Sequence, residues 1–247
     1  MKILGIIPAR YGSTRFPGKP LAMIGGKTMI HRTYEQVLKS SLDAVVVATD
    51  DQRILDEVLA FGGKAVMTRA DHQSGTDRCR EALDLFGGGF DAVVNIQGDE
   101  PFIDPVQIDQ VAALIRRDDT CLATLAKRVT DPSKVDNPNA VKVVFDKMGN
   151  ALYFSRHPLP FVRGCERDRW LEKTEYYQHI GIYAYKADTL RAIAAMAPTR
   201  LEQAESLEQL RWLENGLRIR VAVTEASDTI AIDTPEDLLN IPKERYQ

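Results

Sequence analysis

A basic loop near the N-terminus has the composition of a binding site for a phosphate chain. It runs from Pro8 to Pro20 and carries the cations Arg10, Arg15 and Lys19 together with the hydroxyl group of Ser13. Backbone N–H groups in glycine-containing turns converge on anions, and cationic side chains neutralise them. The loop is therefore predicted to bind a triphosphate; the alternative is a solvated basic loop.

The spacing of this loop differs from two common nucleotide-binding motifs. An ATP-binding P-loop has four residues between its glycines and a Ser or Thr after its lysine. Here five residues separate Gly12 from Gly18, and Pro20 follows Lys19. Proline has no hydroxyl group to hold magnesium. The first predicted strand is also not followed by the GxGxxG pattern of dinucleotide-binding folds. Both motifs are therefore disfavoured.

Two aspartates follow apolar runs and are candidate magnesium ligands. Asp99 comes shortly after the run Ala92–Ile96, and Asp233 directly after Thr229–Ile232. Open α/β sheets bind ligands at the carboxyl ends of their strands, and magnesium usually takes one or two carboxylates together with water and phosphate oxygens. For Asp233 an alternative remains, because Thr234-Pro235 resembles a helix N-cap followed by proline at the first helical position.

The elements around these residues predict an α/β fold. The apolar runs Ile3–Ile7, Ala44–Ala48 and Ala92–Ile96 are continuous rather than alternating, as in strands of a parallel sheet covered on both faces. Apolar residues also recur at helical spacing, as Ile54, Leu55, Val58 and Leu59 and as Ile108, Val111, Ala112 and Ile115. The β-α-β order predicts a mostly parallel, doubly wound sheet.

The second half of the chain predicts an elaboration of this sheet at about residues 128–180. Val141–Phe145 and Ala151–Phe154 flank the turn Met148-Gly149-Asn150 and read as a hairpin. The main pattern then returns with a strand at Ile180–Tyr185, a helix at Gln203–Glu214 and a strand at Ile219–Val223. Because no linker stands out, residues 1–247 are predicted to form a single domain with an elaborated second half.

Composition excludes several classes of function. The formal net charge is -3, so the chain lacks the positive field that binds nucleic acid or an anionic membrane surface. Its three cysteines are odd in number and widely spaced, which favours reduced, packed thiols over a zinc site or a disulfide framework. The N-terminal apolar run is much shorter than a signal sequence, and no run is long enough to span a membrane, so a cytoplasmic protein is expected.

Several motifs together make the chain resemble the 3-deoxy-manno-octulosonate (KDO) cytidylyltransferase family. They occur in order along nearly the whole chain: IIPARYGSTRFPGKPL, ATDD, TRADHQSGTDR, NIQGDEP, NPNAVKVV, ALYFSR, HIGIYAY, SLEQLRWLENG and DTPEDL. The opening motif is shared in looser form with CMP-sialate synthetases, whereas the combination is more specific. The resemblance implies a Rossmann-like nucleotidyltransferase fold, usually a homodimer, that uses CTP in the cytoplasm to activate KDO for lipopolysaccharide assembly. It also implies that the elaboration at about residues 128–180 supplies the sugar pocket and dimer contacts.

The resemblance also implies roles for residues of the nucleotide site. It assigns Arg10, Ser13, Arg15 and Lys19 to the CTP phosphates. It further assigns Ser74 and Gln97 to the cytosine base and Asp99 and Asp233 to magnesium. Arg10, Lys19 and Asp99 are the expected catalytic residues, because magnesium and the cations would offset charge on the transferring phosphoryl group.

A second set of residues is similar to the family's sugar pocket, namely Arg156, His179, Tyr183, Glu208 and Gln209. Each has a structural alternative. Arg156 could be a surface arginine, His179 and Tyr183 could pack within the sheet, and Glu208 and Gln209 could form the exposed face of a helix. Alternative functions are a cytidylyltransferase for 8-amino-KDO or a sialate, and a non-catalytic nucleotide-binding domain.

Overall fold

A mostly parallel sheet forms the centre of the computed structural model, which describes residues 1–12, 16–226, 232 and 234–246. Within these residues nine strands belong to this sheet and two form a small separate ribbon. In chain order the strands are β1 Ile3–Ala9, β2 Met23–Ile24, β3 Lys27–Thr28, β4 Ala44–Thr49, β5 Ala65–Met67, β6 Ala92–Asn95, β7 Leu122–Arg128, β8 Lys142–Phe145, β9 Ala151–Ser155, β10 Tyr177–Lys186 and β11 Arg220–Val223.

The sheet order is β11-β7-β10-β6-β1-β4-β5, and one central strand runs against the others. β1 pairs in parallel with β4 and β6, β4 with β5, and β7 with β11, whereas β10 is antiparallel to β6 and β7. The antiparallel hairpin β8–β9 joins the sheet through β10. The carboxyl ends of β1 and β6 therefore lie side by side.

Helices cover both faces of the sheet, as the continuous apolar strands require. They are α1 Met29–Leu38, α2 Gln52–Ala60, α3 Gly75–Phe86, α4 Pro105–Ile115, α5 Pro132–Asp136, α6 Trp170–Lys173, α7 Ala187–Ala194, α8 Arg200–Glu205, α9 Gln209–Glu214 and α10 Pro235–Leu239. Residues of α1, α2 and α4 pack in one core, and residues of α3, α7 and α9 pack in the other. The arrangement confirms the predicted doubly wound α/β fold.

Most of the predicted elements are present at close to their predicted bounds. The runs at Ile3, Ala44 and Ala92 form β1, β4 and β6, and the predicted hairpin is β8–β9. All four predicted apolar residues of α4 are buried, but in α2 only Ile54 and Val58 are, while Leu59 is exposed. That exposure follows from the short apolar face of α2, which contacts the sheet near its edge strand β5.

The cysteines and the helix lengths bear on the expectations drawn from composition. The three cysteines are unpaired, with Cys79 buried and Cys121 exposed. In the described part of the chain, every helix is too short or too polar to cross a lipid bilayer.

The prediction of one helix over Gln203–Glu214 is wrong, because the chain breaks there into α8 and α9. Ser206 lies between them in the left-handed region, with φ 50° and ψ 50°. The leucine periodicity continues across the break, since Leu207 and Leu210 are both buried. A left-handed serine costs about 1–2 kcal/mol, so tertiary contacts must hold this conformation against local preference.

The ends of β1 and β6 approach each other closely at Gly98. A Cβ atom built on Gly98 would lie 2.8 Å from the carbonyl oxygen of Pro8. Thr33 donates a hydrogen bond from its hydroxyl group to the Gly98 carbonyl at 3.3 Å. The turn after β6 therefore has no room for a side chain, and its contact with the end of β1 fixes the separation of the two predicted site loops.

We expect Gly98→Ala to lower the free energy of unfolding by about 1–3 kcal/mol, because overpacking against backbone displaces one of the two strand ends. Gly181→Ala is the matched control, since a Cβ atom there meets no described atom within 4 Å. Urea denaturation of both variants measures the difference. Equal stability of the two variants would contradict the steric constraint.

Candidate active site

A cavity of about 290 Å³ opens at the carboxyl ends of β1 and β6 and at the N-terminus of α3. Five residues predicted for the nucleotide site line it, namely Arg10, Lys19, Ser74, Gln97 and Asp99. The other lining residues are Pro8, Ala9, Pro20, His72, Gln73, Gly75, Arg78 and Gly98. The fold thus brings together the basic loop and the acidic loop, which are separated by about eighty residues in the sequence.

Lys19 links three segments of the site. Gly18 turns the chain with φ +71°, and its N–H donates a hydrogen bond to the Tyr11 carbonyl at 2.9 Å. Lys19 follows in a short 3₁₀ helix and donates from Nζ to Asp99 Oδ2 at 2.7 Å and to the Ile232 carbonyl at 2.9 Å. Ile232 in turn donates from its backbone to the Asp99 carbonyl at 3.1 Å. Both side chains of the ion pair remain partly exposed to the cavity.

The Asp99 carboxylate has the chemistry expected of a magnesium ligand. Magnesium needs only one or two carboxylates and draws its remaining ligands from water and phosphate. In the described residues no three His, Cys, Asp or Glu side chains cluster as a protein-only metal site. Glu100 adjoins Asp99, and burial, with a smaller contribution from Asp99, raises the Glu100 pKa to about 7. The predicted second ligand, Asp233, and the predicted phosphate contacts Ser13 and Arg15 lie outside the described residues.

The two residues predicted to bind cytosine lie at the ends of different elements of the fold. Ser74 is the N-cap of α3 and forms a capping box with Asp77, each side chain accepting from the other residue's backbone N–H. Gln97 follows β6 and donates from its amide to the Gly181 carbonyl at 3.2 Å. Gly181 lies in a bulge of β10 where the register with β7 shifts. Gln97 therefore connects the cavity to the strand that carries His179 and Tyr183.

Sequence reasoning missed a buried ion pair at the cavity wall. Arg78 on α3 donates to Asp50 Oδ2 at 2.7 Å and to the hydroxyl group of Thr68 at 2.6 Å. Thr68 in turn donates hydrogen bonds from its hydroxyl group and its backbone N–H to the carbonyl of Thr49, at the end of β4. Asp50 and Arg78 belong to the motifs ATDD and TRADHQSGTDR, but sequence spacing gave no sign that they pair. The pair fixes the loop that leads to Ser74.

His179 is held in a neutral form within the sheet. The Thr124 hydroxyl group donates to the Ile182 carbonyl at 2.7 Å, so it accepts from His179 Nε2–H at 2.9 Å. The ring meets Phe154 edge-on and lies beside Tyr183. Desolvation lowers the pKa of His179 to about 3. His179 therefore packs within the sheet, which was the alternative to a role in sugar binding. It is also a neutral group that can form hydrogen bonds.

Tyr183 lies next to His179 in an aromatic cluster. Its ring stacks near Tyr185 and meets Trp212 edge-on. The Tyr183 hydroxyl group is buried and has no hydrogen-bond partner among the described atoms. Burial, and secondarily the charge of Glu208, raises its pKa well above 10. The hydroxyl group is therefore protonated and can still both donate and accept.

Glu208 and Gln209 begin α9, and neither lies on a fully exposed face. Gln209 is buried, and Glu208 is half-buried. Thr76 on α3 donates from its hydroxyl group to Glu208 Oε2 at 2.7 Å. Burial raises the pKa of Glu208, although this hydrogen bond and one from Ser74 lower it. Glu208 therefore bridges the predicted sugar residues and the start of α3, where Ser74 lies.

Arg156 directly follows β9 and binds backbone carbonyls. Its Nε donates to Glu205 O at 2.7 Å, Nη1 to Pro138 O at 3.1 Å and Nη2 to Ser206 O at 3.2 Å. A guanidinium group has five N–H donors, so two remain for a ligand. Arg156 is half-buried and is not a solvated surface arginine.

We expect the low pKa of His179 to make stability depend on pH. Between about pH 6.5 and 3, the unfolded chain binds a proton at His179 that the folded chain excludes, so stability falls as pH falls. From pH 6 to 4.5 the wild type should lose about 1–2 kcal/mol more than His179→Gln. Urea denaturation at several pH values measures this. Parallel curves for the two proteins would contradict a neutral, desolvated imidazole.

Comparison with known proteins identifies the family. The family model described as cytidylyltransferase matches residues 4–219. A 3-deoxy-manno-octulosonate cytidylyltransferase of Bacteroides thetaiotaomicron is 58% identical over 241 residues, covering 96% of each chain. Another with this name, from Thermodesulfovibrio yellowstonii, is 50% identical over 245 residues, again covering 96% of each.

A solved structure agrees with these relatives. The structure of a CMP:2-keto-3-deoxy-manno-octonic acid synthetase complexed with CTP superimposes with a TM-score of 0.89 at 43% identity, covering 99% of this chain and 97% of that one. Since a family model and several relatives cover most of the chain, and the fold agrees with a solved structure of that kind, the chain belongs to the cytidylyltransferase family.

Proposed function

We propose that this chain transfers CMP from CTP to the anomeric hydroxyl group of KDO, with magnesium, and releases pyrophosphate. The observation that carries the proposal is a single cavity that joins the basic loop to Asp99 in a chain 58% identical to a KDO cytidylyltransferase. The product, CMP-KDO, would serve lipopolysaccharide assembly in the cytoplasm. The assignment of each ligand to particular residues is part of this proposal.

The phosphate chain of CTP would enter between the basic loop and the start of α3. Arg10, which is exposed, and Lys19, from the 3₁₀ helix, both line the cavity. Both cations offset charge on the transferring group, and Ser13 and Arg15 are proposed to add to them. Asp99 and Asp233 would hold magnesium, which when bound supplies Lewis-acid polarisation of phosphate oxygens.

The cytosine base would be read by Ser74 and Gln97. Cytosine offers an amino group beside two acceptors, so one amide together with backbone groups can distinguish it from uracil. Ser74 lies at the helix start with its orientation fixed by the capping box. Gln97 is oriented by its bond to Gly181. Fixed donors of this kind favour binding because little side-chain freedom remains to be lost.

The sugar would bind where β10, β9 and α9 meet. Arg156 is proposed to hold the KDO carboxylate, and His179, Tyr183, Glu208 and Gln209 its hydroxyl groups. In the reaction, the anomeric hydroxyl oxygen forms a bond to the α-phosphorus and its proton passes to solvent water. The bond from the α-phosphorus to the bridging α–β oxygen breaks, and pyrophosphate leaves with the bond electrons. No covalent intermediate with the protein is needed, because the chain mainly positions two anions that otherwise repel each other.

We also propose that the working enzyme is a homodimer with contacts in the elaboration at residues 128–180. Large apolar side chains lie exposed there, with Met148 71%, Leu152 62% and Phe161 72% accessible. Exposed apolar surface of this kind is often covered by a partner.

We expect CTP and KDO with magnesium to release pyrophosphate, whereas ATP, GTP or a sialate supports little turnover. A coupled pyrophosphate assay across nucleotides and acidic sugars measures this. Equal turnover with ATP, or a preference for sialate, would contradict the proposed specificity. Absence of turnover with every acidic sugar would favour a non-catalytic nucleotide-binding domain.

We expect Asp99→Asn to reduce turnover by about 100-fold or more, since metal-ion charge stabilisation is worth several kcal/mol and each 1.4 kcal/mol is a factor of ten. The neutral amide has nearly the same shape, so far-UV circular dichroism should be unchanged. Asp104→Asn is the matched control, because Asp104 is the N-cap of α4 and asparagine caps equally well. A wild-type rate and magnesium dependence in Asp99→Asn would remove Asp99 from the metal site.

A further inference from the structure

The break between α8 and α9 is held in an unfavourable conformation. Ser206 is the one non-glycine residue with positive φ among the described residues. Such a conformation persists only where surrounding structure imposes it. It also has a consequence for the site, since Glu208 and Gln209 follow within three residues.

A carboxylate beside the break binds the end of β9. Glu205 Oε1 accepts a hydrogen bond from the Ser155 hydroxyl group at 2.6 Å, and Oε2 accepts from the Arg156 backbone N–H at 2.9 Å. Ser155 is buried, and it also accepts from the His157 N–H at 3.0 Å. Both carboxylate oxygens of one residue on α8 are therefore bonded to one strand end.

Arg156 forms a second set of hydrogen bonds, from the end of the strand to the end of the helix. Its guanidinium group donates to the carbonyls of Glu205 and Ser206, the last residue of α8 and the residue at the break. The last carbonyls of a helix have no partner within the helix, and here Arg156 supplies one. The clamp is therefore reciprocal: a carboxylate of α8 binds β9, and a guanidinium group following β9 binds the carbonyls at the end of α8.

The clamp determines where α9 begins. Glu208 lies two residues beyond Ser206, and its carboxylate must reach Thr76 on α3 at 2.7 Å. Gln209 must enter a buried position at the same time. A different backbone conformation at Ser206 would redirect both side chains, because only Leu207 separates Ser206 from Glu208.

We propose that Glu205 is a positioning residue of the sugar pocket, which it serves by clamping the end of β9 to the break at Ser206. Through this clamp it places Arg156 on one side of the pocket and Glu208 and Gln209 on the other. The proposal rests on the proposed function, which assigns those three residues to the sugar. It adds a residue outside that set, whose effect falls more on sugar binding than on CTP binding.

Steady-state kinetics of Glu205→Ala test the proposal, with CTP and KDO varied separately. The variant should raise KM for KDO by about 10- to 100-fold, as small displacements of positioning groups do, and leave KM for CTP within about twofold. Glu205→Gln should recover most of the loss. Its amide oxygen can accept from the Arg156 N–H while its NH₂ donates to Ser155, whose hydroxyl group also accepts.

Further variants separate positioning from general stability. Ser155→Ala removes one bond of the clamp without changing α8 and should shift KM for KDO in the same direction, by less. Glu172→Ala is the control, since Glu172 forms an exposed pair with Arg169 at 3.0 Å on the same elaboration, and its KM values should match wild type.

The outcomes distinguish this proposal from the proposed function. Wild-type protein without turnover of CTP and KDO would overturn the function. An active wild type with an unchanged KM for KDO in Glu205→Ala would overturn the role of Glu205 alone. Equal increases of KM for CTP and KDO would also overturn it. If Glu205→Ala fails to fold, Ser155→Ala decides, and an unchanged KM for KDO in that variant counts against the clamp.

Discussion

The ion pair between Lys19 and Asp99 is the contact on which the site depends. It joins the loop after β1 to the loop after β6, and the bond from Lys19 to the Ile232 carbonyl adds the C-terminal segment. Without ligands, a half-buried carboxylate close to Glu100 would be costly to leave uncompensated. The lysine supplies the compensating charge from the loop that is proposed to bind phosphate. In the proposed complex, phosphate would replace the carboxylate as the partner of the lysine, and magnesium would replace the lysine as the partner of the carboxylate.

The pair can form only because the backbone brings its two loops to the same edge of the sheet. β1 and β6 are parallel neighbours, so their carboxyl ends meet at one edge of the sheet, and Gly98 lets the turn after β6 come close to the Pro8 carbonyl. Gly18 turns the other loop so that Lys19 points inward. The charged groups are therefore fixed by strand topology and two glycines before any ligand is present. Such preorganisation is the main source of electrostatic catalysis.

The parallel strands of the sheet were also the part of the fold that could be predicted. β1, β4 and β6 are continuous apolar runs, and burial on both faces leaves few other structures for them. The antiparallel direction of β10 and the break at Ser206 could not be predicted. The residues of β10 would suit either direction, and the leucines of α8 and α9 keep a helical period through the break. Both features are decided by distant partners, β7 and Arg156 respectively.

The same reasoning explains which site residues could be found from the sequence. Arg10, Lys19 and Asp99 have charges and positions after strands that indicate a ligand, and the structure brings them to one cavity. Asp50 and Arg78 also have charges, but their pairing depends on α3 packing against the end of β4, which no local spacing reveals. Glu205 was not identified for the same reason, because its partners lie about fifty residues away on β9.

The predicted sugar residues form an environment unlike that of the phosphate site. Among the described residues, His179 is neutral, the protonated Tyr183 hydroxyl group has no hydrogen-bond partner, and Arg156 has two donors beyond those that bind backbone. An unsatisfied buried hydroxyl group costs about 1–3 kcal/mol, and a ligand hydroxyl group that bonds to it recovers this energy. A polyhydroxy acid needs many neutral hydrogen-bonding partners and one cation. In the proposed sugar site these residues would offer that combination, whereas the cavity lined by Arg10, Lys19 and Asp99 offers cations and a carboxylate, so under the proposed function each substrate would meet groups suited to its charge.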